Sequence, residues 1–248
     1  MADLLNLTPR QQLTAGRLPR RLAQLLVGLT LYGVSMAMLL RSTLGLDPWD
    51  VLHDGVTRHL PMSFGTVVIA MSFVVLLLWI PLRQWPGLGT LANAVWIGIA
   101  TDATLAVLGT PGGLPERVAL LLGGIVLNGL AGGLYIGAQL GPGPRDGLMT
   151  GLHRRTGWSL RAVRTGIELT ALATGWLLGG TVGIGTILYA LGIGPLVQFF
   201  LPYIAVRLPA RSGPIVAAPT GTGPTLTGPT LTGKPSPQDS AESSAAAP

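Results

Sequence analysis

The chain has 248 residues, and only 10% of them are Asp, Glu, Lys or Arg, against about a quarter in a soluble domain. So little charge cannot coat a soluble surface of this size, which excludes an ordinary cytosolic enzyme, a nucleic-acid module and a disordered chain. The absence of Cys excludes a disulfide framework and thiolate metal sites. The net charge of +6 comes from 15 Arg and one Lys, an excess that in a membrane protein reports topology.

In chain order, residues 1–20 are mixed and polar and read as a cytoplasmic N-terminal segment with a short surface helix. No charged residue occurs in 22–40, 59–82, 84–101, 118–144 or 169–206. A hydrocarbon core needs about 20 apolar residues per helix. Six spans follow, near 22–42, 63–82, 88–108, 118–138, 162–179 and 184–206. The first is longer than a signal-peptide core and no A-x-A site follows it, so it is expected to stay in the mature protein. The fifth carries Arg161, Arg164 and Glu168 in its first half, the last two at a pairing distance of four residues. Residues 208–248, rich in Pro, Gly, Thr, Ser and Ala, cannot build a core and are expected to form a disordered cytoplasmic tail.

With the N-terminus inside and six alternating spans, 13 basic residues fall on the cytoplasmic side and 3 (Arg41, Arg58 and Arg117) outside. This bias places both termini in the cytoplasm of a cell membrane.

Sliding the chain against itself by 96 residues aligns 23–102 with 119–198 without a gap, with 23 identities in 80 positions. Each copy holds three spans, and an odd number turns the second copy upside down. The expected fold is therefore an all-α membrane protein: six transmembrane helices as two inverted three-helix repeats, 21–110 and 111–207. The shared pattern L-G-x-x-P-x-D-x-L-x-x-G-x-x-R runs from Leu44 to Arg58 and from Leu140 to Arg154. Asp47 before Pro48 is a helix-start signal, and Asp50 and Asp146 fall at the third helical position, beside unpaired N–H groups. Each copy thus adds a short helix, about 48–59 and 144–155, which is interfacial or re-entrant.

Two roles stand open for Asp50 and Asp146: helix capping, or lining a path for an ion or polar solute. His53 and Asp54 beside Asp50 could complete a metal turn, but the second copy has Met149 and Thr150 there, and no metal site is assigned. Asp102, in the third span, needs a partner or a wet cavity at its depth. Asn93 and Asn128 read as interhelical hydrogen-bonding residues. Gly129, Gly133 and Gly137 have the spacing of close helix packing.

The stretches Leu44-Gly-Leu-Asp-Pro-Trp-Asp-Val-Leu, Leu140-Gly-Pro-Gly-Pro-Arg-Asp-Gly-Leu-Met-Thr-Gly-Leu and Gly183-Ile-Gly-Thr-Ile resemble the YczE/YyaS/YitT family of bacterial integral membrane proteins. The resemblance covers roughly 20–206 and implies a multi-span plasma-membrane protein. It implies no catalytic residue.

No P-loop, H-E-x-x-H or G-x-S-x-G motif occurs, so the chain is read as a non-enzyme without cofactor or nucleic-acid partner. Its partners are the lipid bilayer and a small solute or ion, and the sequence fixes no oligomeric state. The leading reading is a secondary transporter or channel-like permease. Its path would lie between the repeats along Asp50, Asp146 and Asp102, with Arg58 and Arg154. The rival is a membrane scaffold or accessory subunit that binds a partner through an Arg-rich face at 145–164.

Overall fold

Helix starts in this chain are written in Pro and in small capping side chains. Pro stands in the first two helical positions of five helices, and Thr8, Asp47, Ser63 and Ser159 accept backbone N–H groups at four starts. The computed structural model describes residues 8–206 and Leu208. The helices in them are α1 (Pro9–Thr14), α2 (Leu18–Ser42), α3 (Pro48–Thr57), α4 (Phe64–Trp79), α5 (Leu88–Val107), α6 (Leu114–Gly137), α7 (Pro144–Thr156), α8 (Leu160–Leu177) and α9 (Ile184–Ile204). The chain divides into units 1–210 and 211–248, and the second lies outside the described residues. So does all of the expected tail except Leu208, and so do residues 1–7 of the N-terminal segment.

Each expected span and each short helix coincides with a helix to within a few residues. Among the described residues α2, α5, α6 and α9 are long and apolar enough to cross a membrane. The protein is therefore a multi-pass membrane protein. α4 is apolar but has 16 residues, about 24 Å of helix against a hydrocarbon core of about 30 Å. α8 carries Arg161, Arg164 and Glu168, and Arg164 and Glu168 pair at 2.9 Å.

The repeat extends to the helix boundaries. α2 and α6, α3 and α7, α4 and α8, and α5 and α9 each begin 96 residues apart. α2 and α6 pack side by side in antiparallel sense. Gly28 meets Ala131 and Tyr135, Gly124 meets Ser35 and Leu39, and Asn128 donates to Ser35 Oγ at 2.7 Å. One arginine closes each end of this pair. Arg21, fully buried, donates from Nε to Ala138 O (2.8 Å) and from Nη2 to Gln139 O (2.6 Å). Arg117 stands 96 residues on and donates from Nε to Ser42 O (2.9 Å) and from Nη2 to Thr43 O (3.3 Å). These carbonyls end α6 and α2, where the helix leaves acceptors unpaired.

α5 packs on α2 and α9 on α6, with Gly33 against Ile97 and Ala100 and Gly129 against Leu196. Gly133 and Gly137 face Phe200 and Ala205, so the small-residue spacing of α6 serves internal packing, as the sequence suggests. The short helices cross over: α3 lies on α8, and α7 on α4. Before each short helix the chain turns at a glycine with positive φ, Gly45 (125°) and Gly141 (120°), and a Cβ on Gly45 would meet Thr186 N at 2.7 Å. The turns are pinned to the opposite half by Gly185 N–H to Leu44 O and Gly89 N–H to Leu140 O, both 2.8 Å.

The halves differ in one seam. α4 closes on α5 where Gly65 and Gly98 touch; a Cβ on Gly65 would lie 2.1 Å from Gly98 O. In the second half Arg161 replaces Gly65, and a Cβ on Gly194, the counterpart of Gly98, would meet nothing within 4 Å.

Candidate functional site

The starts of α3 and α7 meet inside the molecule. Asp47 caps α3 by accepting the Asp50 N–H at 2.8 Å, and its other oxygen lies 3.6 Å from Arg145 Nη1. Arg145, the second residue of α7, also donates from Nη2 to the Tyr32 hydroxyl at 2.8 Å. Tyr135 donates to Asp146 Oδ2 at 2.6 Å, and the rings of Tyr32 and Tyr135 meet edge to face with centroids 6.2 Å apart. On the next turn of α3, His53 Nδ1 faces Asp50 Oδ1 at 3.1 Å.

These groups surround a cavity of about 70 Å³. By volume it has room for a few waters or one small solute. Its walls include the middle of α2 (Tyr32, Met36), the middle of α4 (Val68, Val75), and Asn93 and Ile97 of α5. Asp47 and Asp50 are each 2% exposed. Asp50 Oδ2 is buried with no hydrogen-bond partner, and so is the indole Nε1 of the neighbouring Trp49. A buried acceptor and a buried donor left unpaired are uncommon, because each forfeits its bond to water. Burial, with the charge of Asp47 added, pushes the Asp50 carboxyl up to about 6 against the opposing pull of His53 and Arg145. Asp50 belongs to α3, which is too short to span a bilayer.

The structure brings Asp50 and Asp146 into one cavity and leaves Asp102, Arg58 and Arg154 out of its lining. Asp102 accepts from Gly65 N (2.8 Å) and Ser63 Oγ (2.5 Å), so it holds the first turn of α4. Arg58 reaches Asp54 and Thr181, each at 3.1 Å. Arg154 reaches Gln84 at 2.9 Å. Each arginine joins the end of a short helix to a loop of the opposite half.

Asp47 makes the side-chain cap of α3; Asp50 and Asp146 stand in the first turns of α3 and α7, beside the positive helix ends, with Asp50 facing His53 and Asp146 accepting from Tyr135. Asp54 turns away from Asp50 to Thr181, and no metal-binding group of three or more His, Cys, Asp or Glu occurs among the described residues. Asn128 joins α2 and α9 through Ser35 and Tyr189, as an interhelical residue would, whereas Asn93 lines the cavity.

Arg145, Tyr32 and Tyr135 are site residues that the sequence reading passed over. The available signal was positional: Arg145 stands at the offset partner of Trp49, between the Pro and Asp of the repeated motif. Its guanidinium turns toward Tyr32 and Asp47 while the side chain stays about a third exposed (32%).

Comparison with known proteins gives a consistent family. The family of unknown function DUF6198 matches residues 19–202. A Haemophilus influenzae protein described as uncharacterized is 41% identical over 185 residues, 75% of this chain and 84% of that protein. The uncharacterized membrane protein YczE of Bacillus subtilis is 36% identical over 172 residues, 69% of this chain and 80% of its own length. YyaS of the same organism is 25% identical over 182 residues, 72% of this chain and 90% of its own length. No solved structure matches.

Proposed function

This chain belongs to the DUF6198 family, and from that footing and its cavity we propose that it is a secondary transporter or channel-like permease for a small solute or ion. The observation that carries the reading is the meeting of two motifs 96 residues apart at one cavity, where Asp50 keeps an unpaired carboxylate oxygen. Transporter sites commonly lie near the bilayer midplane, at the interface of internal repeats, where short helices begin. The antiparallel contact of α2 with α6, closed by Arg21 and Arg117, supports two halves lying in the bilayer as upside-down copies. The domains are then the repeats 21–110 and 111–207, with both termini cytoplasmic. Asp50 and Asp146 line the path, and Asp102, Arg58 and Arg154 hold the helices that form it.

Flux through the purified protein in liposomes, screened against metabolites and ions, tests the reading. Wild-type protein gives saturable uptake of at least one solute, and Asp50→Asn and Asp146→Asn abolish it while the protein stays folded. A folded wild-type protein that moves nothing across the whole panel contradicts it.

A further inference from the structure

The charges around the cavity do not balance. Asp47, Asp50 and Asp146 contribute three carboxylates, against one guanidinium from Arg145 and the imidazole of His53, so even a protonated His53 leaves one carboxylate in excess. The hydrogen bonds and ion pairs show which groups are committed. Arg145 is divided between Asp47 and Tyr32, Asp146 takes the Tyr135 hydroxyl, and Asp50 Oδ1 takes His53. Asp50 Oδ2 remains, buried and without a partner, on a residue that lines the cavity. In a low-dielectric interior an uncompensated carboxylate attracts positive charge strongly. The two helix starts and Arg145 would favour an anion, but three carboxylates already stand against them.

The rest of the wall selects among cations. A bare calcium or magnesium ion asks for about six oxygen ligands, and no metal-binding group of His, Cys, Asp or Glu occurs among the described residues. The surface on offer is aromatic and aliphatic, with Tyr32, Trp49 and Tyr135 beside Met36, Val68 and Ile97. Such a wall suits an organic cation, whose charge is spread over N–H groups and whose body is apolar.

We propose that the cavity between α3 and α7 binds a small organic ammonium ion, which donates a charge-assisted hydrogen bond to the Asp50 carboxylate and rests against the rings of Tyr32 and Trp49. The inference rests on the transport reading of the same site and names its substrate class. The volume of about 70 Å³ limits the occupant to an amine of a few heavy atoms.

The test is a binding titration on the full-length protein in lipid nanodiscs, read by thermal shift, with methylammonium chloride, sodium chloride and sodium acetate at matched ionic strength. Methylammonium gives a saturable stabilisation that the two sodium salts do not. Loss of the charge-assisted bond weakens it about tenfold or more in Asp50→Asn, while Asp50→Glu retains it. Binding to the wild type also weakens from pH 7.5 to pH 5, as Asp50 takes up a proton amid Asp47, His53, Arg145, Asp146, Tyr32 and Tyr135. This arm stands if Asp50→Asn fails to fold. Saturable stabilisation by acetate alone, an unchanged methylammonium affinity in folded Asp50→Asn, or no saturable shift overturns the proposal. Ammonium binding without flux leaves this inference in place and removes the transport reading. Flux of an anion without ammonium binding does the reverse.

Discussion

Asp50 is where the chemistry of the molecule concentrates. Its carboxyl titrates near 6 in the folded protein, above the value of about 3.9 for an unfolded Asp. Between those values the native state holds more protons than the unfolded chain, so stability falls as pH rises through the window, and the loss is complete above it. Melting curves of wild type and Asp50→Asn from pH 4 to 8 check this. The wild type loses stability relative to the variant as pH rises from about 4 to 6, and the difference is flat above. A difference that does not change with pH would contradict the assignment. At this scale the sequence was partly legible. The cap at Asp47 and the placement of Asp50 followed from local helix chemistry, which depends on near neighbours alone. The inward turn of Arg145 did not follow, because it depends on Tyr32, 113 residues away, and on Asp47 of the other half. Asp102 was placed in its span correctly, but its partners Ser63 and Gly65 belong to a different helix.

Helices and their seams were more legible. Long uncharged runs and the 96-residue offset fixed where helices begin, and the offset identified α8 despite its charges. The repeat also reaches further than the aligned window: Leu18-Pro-Arg-Arg21 and Leu114-Pro-Glu-Arg117 supply the two end clamps. The differing seams of the two halves were not legible, because glycine spacing does not reveal which neighbour a glycine faces. They lead to a paired prediction. Gly65→Ala drives a Cβ to 2.1 Å from Gly98 O, backbone that cannot yield cheaply. It is expected to cost about 1–3 kcal/mol, as overpacking does. Gly194→Ala meets no neighbouring helix, and its Cβ stands only against the ring of the following Pro195, so it is expected to change stability by no more than about 1 kcal/mol. Reversible unfolding in mixed micelles measures both. Equal losses would mean that the α8–α9 seam is closed in the bilayer as well.

Seen as a whole, the molecule is a multi-pass membrane protein whose two related halves exchange their short helices, α3 onto α8 and α7 onto α4. In the proposed arrangement the halves lie inverted in the bilayer, so counterpart loops open to opposite compartments while the helix starts meet between them. The chain contains no Cys, so a single introduced thiol reports its own side of the membrane without background. Leu60 and Thr156 are exposed counterparts, 96 residues apart, Leu60 in the turn after α3 and Thr156 at the end of α7. The decisive measurement is labelling of Leu60→Cys and Thr156→Cys in intact spheroplasts with a membrane-impermeant maleimide. Inversion predicts that Leu60→Cys labels directly and Thr156→Cys only after permeabilisation. Labelling of both from one side would contradict it.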